Sequence, residues 1–260
     1  MNPMQRISVH YLVLSNAEKA TCDLIVENPQ IVIENPIADA AKKYNVSTSS
    51  ILRLAKRIGY KGYSEFRYEL EKFELSKQRE ENLDIKNNYN VILSAYENTI
   101  DEMLRIDMEQ GLKELATLID QYKVTTVGIG NSSLPAQQLV YSLYSHNKWS
   151  ECINDTVKIN FSTDILDSQD IVIIFSVSGT ENTYKTYIEK WISRGVKVIL
   201  ITSNPESPLI RNCYLHFVLP SLPMQGSNDN YQSRYLDSRA LFYIFADIIA
   251  SYYITYKKEK

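Results

Sequence analysis

The sequence predicts an all-α helix-turn-helix domain over residues 1–75, followed by an α/β domain over 107–256 with a parallel sheet flanked by helices. Up to residue 75 the apolar positions recur only at helical spacing, whereas from about residue 107 helical stretches alternate with short β-branched runs. Residues 76–106 read as a linker and connecting helix, because Ser76 to Asn90 carries too few apolar side chains to belong to a core. At roughly 100–200 residues per domain, the 260 residues of the chain suit two cores.

In the first half, Ser15 or Asn16 is placed to cap a helix through Leu24, Ile25 and Val26 that ends near Asn28-Pro29. Pro36 opens a second helix, where its missing N–H costs nothing, and that helix runs to Tyr44. A third begins after Ser47, reaches Ile58 and is stopped by Gly59. Beyond the polar stretch, Ile92, Leu93, Tyr96, Ile100, Met103 and Leu104 return to helical spacing, giving a helix to pack on the second domain or on a partner subunit. The runs 124–129, 171–175 and 196–201 read as buried parallel strands, each followed by a loop and a helix, with a weaker strand near 214–219.

Bulk properties exclude several classes. The first fifteen residues have neither the basic flank and long apolar stretch nor the cleavage site of a signal peptide. No segment approaches the roughly 18 uninterrupted apolar residues of a membrane span. A cytoplasmic protein that does not engage a membrane is expected. Cys22, Cys152 and Cys213 stand far apart and read as buried small hydrophobes. Neither they nor His10, His146 and His216 form a ligand pattern, so no metal and no cofactor is expected.

The net charge of −3 hides a local excess of the opposite sign. Lys42, Lys43, Arg53, Lys56, Arg57 and Lys61 fall in a segment with no acidic residue. Residues 37–58, which overlap it, have the grammar of a helix-turn-helix. Ala41 is small where the helices cross, Asn45 tolerates the left-handed backbone of the turn, Val46 is apolar in the turn, and Ser47 caps the second helix. Ile51, Ala55 and Ile58 give that helix an apolar stripe. Its opposite face carries Thr48, Ser49, Ser50, Arg53, Lys56 and Arg57, hydroxyls for base edges and phosphate oxygens and cations for the backbone. With Ser47 and Lys61 these are the candidate DNA contacts; the bland alternative is a solvated helical face.

After the first strand comes Gly130-Asn131-Ser132-Ser133, and after the 171–175 strand comes Ser176-Val177-Ser178-Gly179-Thr180. Both loops open onto helices, where free N–H groups and the helix dipole favour an anion and the hydroxyls add donors. Two such loops at one crevice suit a phosphate, with merely tight serine-rich turns as the alternative. Gly128-x-Gly130 could instead begin a dinucleotide fingerprint, with Glu151 as the ribose-binding acid. However, Ser133 occupies the third glycine position and Glu151 falls in a segment with no defined strand pattern.

These residues resemble regulators of the RpiR family, which join an N-terminal helix-turn-helix to a SIS (sugar isomerase) domain. The resemblance rests on Leu14-Ser15, Asn28-Pro29 and VSTSSILRLAKRIGYKGYSEFR from Val46 to Arg67. In the second half it rests on Gly128 to Ser132, on Asp170 to Ile174 leading to Ser176-x-Ser178-Gly179, on GVKVILITSNPESPL from Gly195, and on Ser238-Arg239 before an apolar helix. It implies that Ser132, Ser176 and Ser178 bind the phosphate of a sugar effector, with Ser133 in the same loop, and that the chain forms homodimers or homotetramers on double-stranded operator DNA. The family commonly reads Ser-Gly-Glu-Thr where this chain has Ser178-Gly179-Thr180-Glu181. Glu181 thus stands where a phosphate-binding hydroxyl is expected, and Thr180 is the hydroxyl at hand to substitute. The expected function is transcription regulation by a phosphorylated sugar, with no catalytic residues. The alternatives are a phosphosugar isomerase or related enzyme using Glu181 or His216, and a DNA-binding regulator that has lost its effector.

Overall fold

The computed structural model describes residues 1–80, 88–225 and 235–260. They form two compact units: Met1–Asn98 with Ser221–Asp237, and Thr99–Pro220 with Ser238–Lys260.

The first unit opens with α1 (Pro3–His10), a 3₁₀ turn over Tyr11–Val13, α2 (Asn16–Glu27) and α3 (Gln30–Glu34), and continues with α4 (Ile37–Lys43), α5 (Thr48–Arg57) and α6 (Tyr63–Glu80). Ser15 is the N-cap of α2. Its side chain accepts from the Glu18 N–H while the Glu18 carboxylate accepts from the Ser15 N–H, a reciprocal arrangement that satisfies two donors the helix itself leaves free. The same device at Asn2 and Gln5, with Pro3 as first helical residue, builds α1, which the sequence reading passes over. Ser47 caps α5 through the Ser50 N–H, and Gly59, at φ +89°, follows its end. Asn45 has φ +54°, the left-handed conformation expected of it.

The core of this unit gathers Ile51, Leu54, Ala55 and Ile58 of α5 with Ile25, Val32, Ala40, Phe66 and Leu70. Two phenols close gaps in the backbone hydrogen bonding around α3: Tyr44 donates to the Asn28 carbonyl at 2.5 Å, and Tyr63 donates to those of Val32 and Asn35 at 3.0 and 2.6 Å. Of the polar stretch 76–90, residues to Glu80 continue α6, 81–87 lie outside the described residues, and α7 spans Asn88–Leu104.

The second unit alternates helix and strand: α8 (Glu109–Gln121), β1 (Lys123–Gly128), α9 (Ser133–Tyr144), β2 (Ser150–Ile153), α10 (Thr156–Ile165), β3 (Asp170–Phe175), α11 (Glu181–Ser193), β4 (Lys197–Thr202) and β5 (Leu215–Val218). A short antiparallel pair, β6 (Pro223–Gln225) and β7 (Tyr235–Asp237), belongs to the first unit, where Gln5 Nε2 donates to the Ser221 carbonyl at 3.2 Å. The chain ends on α12 (Ala240–Glu259). The order β2-β1-β3-β4-β5 is parallel throughout.

Every residue of β3 is buried, because helices cover both faces of the sheet. Val127, Val172, Ile174, Val198 and Leu200 pack with Ile159 of α10 and with Tyr184, Ile188 and Trp191 of α11. On the opposite face Phe175 meets Phe242 and Phe217 meets Phe245, both partners on α12, which packs beside α8 and α9. Two expectations are corrected here. Glu151 lies within a strand, β2, which is short, polar and at the sheet edge and so lacks the apolar run that marks the inner strands. Cys22 is buried, but Cys152 and Cys213 are only partly so.

Ile51 has no exposed surface and sits where α5 meets the rest of the first core. Ile51→Ala is expected to lower stability by about 2–5 kcal/mol, read as a lower urea midpoint by far-ultraviolet circular dichroism.

Candidate functional site

Strand order reverses at β1: the chain runs outward to β2 and then crosses back to β3 on the other side. In open α/β sheets the crevice at such a point, beyond the carboxyl ends of the two diverging strands, is where ligands bind. Gly128 is in register with Phe175, so the loops after β1 and β3 leave the sheet side by side. Ser132, Ser133, Ser176, Ser178 and Thr180 all fall on these two loops or at the start of the helices they open.

The first loop turns back sharply over Gly128. A Cβ there would lie 2.3 Å from the Ser132 carbonyl oxygen, and Gly130 takes φ +59°. The Gly-x-Gly pattern is thereby accounted for by the turn itself. Ser133 donates to the Gly130 carbonyl at 2.7 Å, whereas the Ser132 hydroxyl has no hydrogen-bond partner within the protein among the described residues. In the second loop the Ser176 hydroxyl accepts from the Gly179 N–H at 3.2 Å, and Thr180 shares a 3.0 Å hydrogen bond with Thr183. The Ser178 hydroxyl is left without a protein partner among the described residues. Ser132 and Ser176 are buried; Ser133, Ser178 and Thr180 are half-buried.

Residues that the sequence reading did not single out hold this second loop in shape. Thr202, at the end of β4, donates to the Val177 carbonyl at 2.9 Å, Asn204 Nδ2 donates to that of Ser178 at 2.9 Å, and Ser207 donates to that of Gly179 at 2.6 Å. Three consecutive carbonyls are therefore satisfied by side chains from the loop after β4. Tyr184 of α11 is buried beside both loops, its hydroxyl near the Ile129 backbone and the Ser176 side chain. Burial pushes this phenol well above its ordinary range, so it stays protonated. The polar run Thr202-Ser203-Asn204 after an apolar strand is the signal that could have revealed the β4 contribution.

The second candidate surface is the outer face of α5. Thr48, Ser49, Arg53, Lys56 and Arg57 are exposed and Ser50 is half-exposed, while Ile51, Leu54, Ala55 and Ile58 point inward. Ser47 is engaged as the cap and shares 2.8 Å contacts with the hydroxyls of Ser49 and Ser50. Arg53 Nε donates to the Ser49 carbonyl at 3.4 Å. Arg57 lies 3.6 Å from Glu18, whose carboxylate is held below its usual range first by the Ser15 N–H and then, against the opposing effect of burial, by the Ser15 hydroxyl and the nearby Arg57 and Arg53. Lys61 is exposed beyond the end of the helix. Leu52, which the sequence reading did not single out, is also exposed.

Residues 1–78 match the helix-turn-helix domain of the rpiR family, and residues 117–242 match the SIS domain. The chain thus joins an rpiR-family helix-turn-helix domain to a SIS domain. It is 24% identical over 246 residues to the bifunctional protein glk of Burkholderia thailandensis, which covers 91% of this chain but 37% of that protein. It thus spans little more than a third of the length of the first curated relatives it matches. An HTH-type transcriptional regulator of Haemophilus influenzae is 23% identical, covering 86% of this chain and 81% of its own. Among solved structures, the Vibrio vulnificus NanR protein complexed with ManNAc-6P superposes with a TM-score of 0.56 at 22% identity, over 98% of this chain and 93% of that one.

Against the RpiR pattern, the Thr180-Glu181 inversion has a local resolution. Glu181, the first residue of α11, is exposed and forms a 3.2 Å ion pair with Lys185 one turn on. His216 is exposed on β5, the edge strand, with β3 and β4 between it and β1.

Gly179 is the most constrained position of the second loop: it has φ +52°, and a Cβ would fall 2.5 Å from Ser207 Oγ and 3.0 Å from Thr202 Oγ1. Gly179→Ala is expected to destabilise by more than the roughly 1–2 kcal/mol of a left-handed non-glycine residue, because the clash adds to it. Adding Ser207→Gly should relieve the clash alone, so a thermal-denaturation double-mutant cycle should show favourable coupling between the two changes.

Proposed function

We propose that the chain is a DNA-binding transcription regulator whose DNA affinity is set by a phosphorylated sugar bound at the crevice between the loops after β1 and β3. The observation that carries this reading is the switch-point crevice itself, which two helix-opening loops border and where the hydroxyls of Ser132 and Ser178 have no protein partner among the described residues. A phosphate there would receive hydrogen bonds from Ser132, Ser176 and Ser178 and from backbone N–H groups at the starts of α9 and α11, with Ser133 and Thr180 alongside. Glu181, paired with Lys185, adds less repulsion than a free carboxylate would. That NanR is seen complexed with ManNAc-6P supports a sugar phosphate as the effector class.

The operator contacts in this reading come from Thr48, Ser49, Ser50, Arg53, Lys56, Arg57 and Lys61, with Ser47 capping the helix that carries them. A homodimer or homotetramer places two such helices on half-sites about 34 Å apart, or a multiple of one helical turn. The cytoplasm, where the operator is, is the proposed compartment; among the described residues no helix is long and apolar enough to cross a membrane. A catalytic role is not part of this reading, because proton transfer beside a carbonyl needs a base within reach of the substrate, whereas Glu181 is exposed and paired with Lys185 and His216 is exposed on the edge strand β5.

Two measurements test the reading. Arg53→Ala should weaken binding to duplex from the protein's own upstream region by about 1–3 kcal/mol if Arg53 reads a base edge, in an electrophoretic or anisotropy titration at fixed salt. Unchanged affinity would remove Arg53 from the interface. In a thermal-shift screen, a sugar phosphate at 100 times its dissociation constant should stabilise the effector unit by about 2.7 kcal/mol, and the unphosphorylated sugar far less. Ser178→Ala should reduce that shift and leave DNA binding without effector unchanged. Failure of hexose, pentose and amino-sugar phosphates alike would sink the effector assignment.

A further inference from the structure

The loops after β1 and β3 offer an anion hydroxyls and N–H groups, with the Glu181 carboxylate at the start of α11, and none of these groups carries a positive charge. A phosphate dianion held by neutral donors alone forgoes the stronger, charge-assisted hydrogen bonds that a cation supplies. Ser238 and Arg239 lead into α12, and the course of that helix brings them to the level of these loops.

Contacts at its two ends give α12 its direction. The Phe242 ring lies 6.2 Å from that of Phe175, the last residue of β3, while Lys260 pairs with Asp120 at 2.8 Å, just before β1 begins. The helix thus runs from the carboxyl edge of the sheet to its amino edge. α9 runs beside it in the same direction: Gln138 Nε2 donates to Asp247 Oδ1 at 3.2 Å, and Lys257 Nζ donates to the His146 carbonyl at 3.3 Å. Six residues back from the Gln138 to Asp247 contact stand Ser132 on one side and Leu241 on the other. At about 1.5 Å of rise per residue, Arg239 lies roughly 3 Å above the level of Ser132. It shares a face with Phe242, three residues on, and that face packs on the sheet. Helical side chains lean toward the helix N-terminus, so Arg239 is directed past the end of β3 rather than down onto it.

Arg239 is half-buried and its Nε is enclosed, which leaves an ion pair there less screened than one on the surface. It has interactions of its own within the chain. A guanidinium carries five N–H donors in a planar fork, so one partner does not exhaust it.

We infer that Arg239 binds the phosphate of the effector, as the cation that complements the hydroxyls of Ser132, Ser176 and Ser178. The inference rests on the crevice being the effector site, and it adds the residue by which that site selects a dianion over a neutral sugar.

Calorimetric titration of the full chain with the hexose, pentose and amino-sugar phosphates tests it. For the phosphosugar that binds best, Arg239→Gln should raise the dissociation constant about tenfold to a hundredfold. Arg239→Lys, which keeps the charge but loses the fork, should raise it about threefold to tenfold. Raising salt from about 0.05 to 0.5 M should weaken binding to the unaltered chain and the Lys variant more than to the Gln variant, a difference that a purely structural role would not produce. If none of the sugar phosphates binds the unaltered chain, the effector reading falls and this inference with it. If one binds and both variants stay within about threefold of its dissociation constant, or all three proteins share one salt dependence, Arg239 is removed from the site and the effector reading stands. Should Arg239→Gln fail to fold, the Lys variant decides alone: the stated weakening supports the contact, and an unchanged constant overturns it.

Discussion

The parallel pairing of β1 with β3 is the constraint on which the rest of the α/β unit depends. Because the chain leaves β1 toward β2 and returns on the other side, two neighbouring strands send their following loops away from each other and leave a gap between them. The register that aligns Gly128 with Phe175 fixes how far each loop begins from the other. Everything at the crevice is then local adjustment: a turn tight enough to exclude a side chain at Gly128, a left-handed residue at Gly130 and another at Gly179. A one-residue slip of either strand would move Ser132 and Ser176 out of step and turn buried side chains to the opposite face.

The second loop is held from outside itself. Its carbonyls at Val177, Ser178 and Gly179 would otherwise compete with any ligand for donors, but Thr202, Asn204 and Ser207 already supply them. Of its N–H groups, that of Ser176 donates to the Ile201 carbonyl at 2.9 Å and that of Gly179 to the Ser176 hydroxyl at 3.2 Å. Tyr184, neutral in its buried position beside both loops, adds no negative charge of its own.

How much of this was legible in the sequence depended on whether a residue's role was local. The α5 cap at Ser47, the left-handed Asn45, the stop at Gly59 and the three apolar strands are each dictated by neighbours within a few positions, and each stands where the spacing put it. The strand β2 was not legible, because an edge strand of four mostly polar residues has no periodicity to read. The lock by Thr202, Asn204 and Ser207 and the placing of Tyr184 beside both loops involve residues far apart in the chain, and only the pairing of β3 with β4 and the packing of α11 bring them together. The capping pair Asn2 and Gln5 could have been read and was not.

The pairing of Arg57 with Glu18 changes what kind of event an encounter with a polyanion would be at that end of α5. The guanidinium is exposed, yet a carboxylate lies 3.6 Å from it, and that carboxylate is held below its usual range chiefly by the cap of α2. A phosphate that recruits Arg57 must therefore exchange with Glu18 rather than simply add, and the net gain is the difference between two ion pairs. Such an exchange is weak wherever the phosphate is poorly placed and favourable only where geometry is good. A single buried-edge carboxylate would in this way act as a threshold, setting how closely a duplex must fit before the last cation of the helix lets go of its own fold.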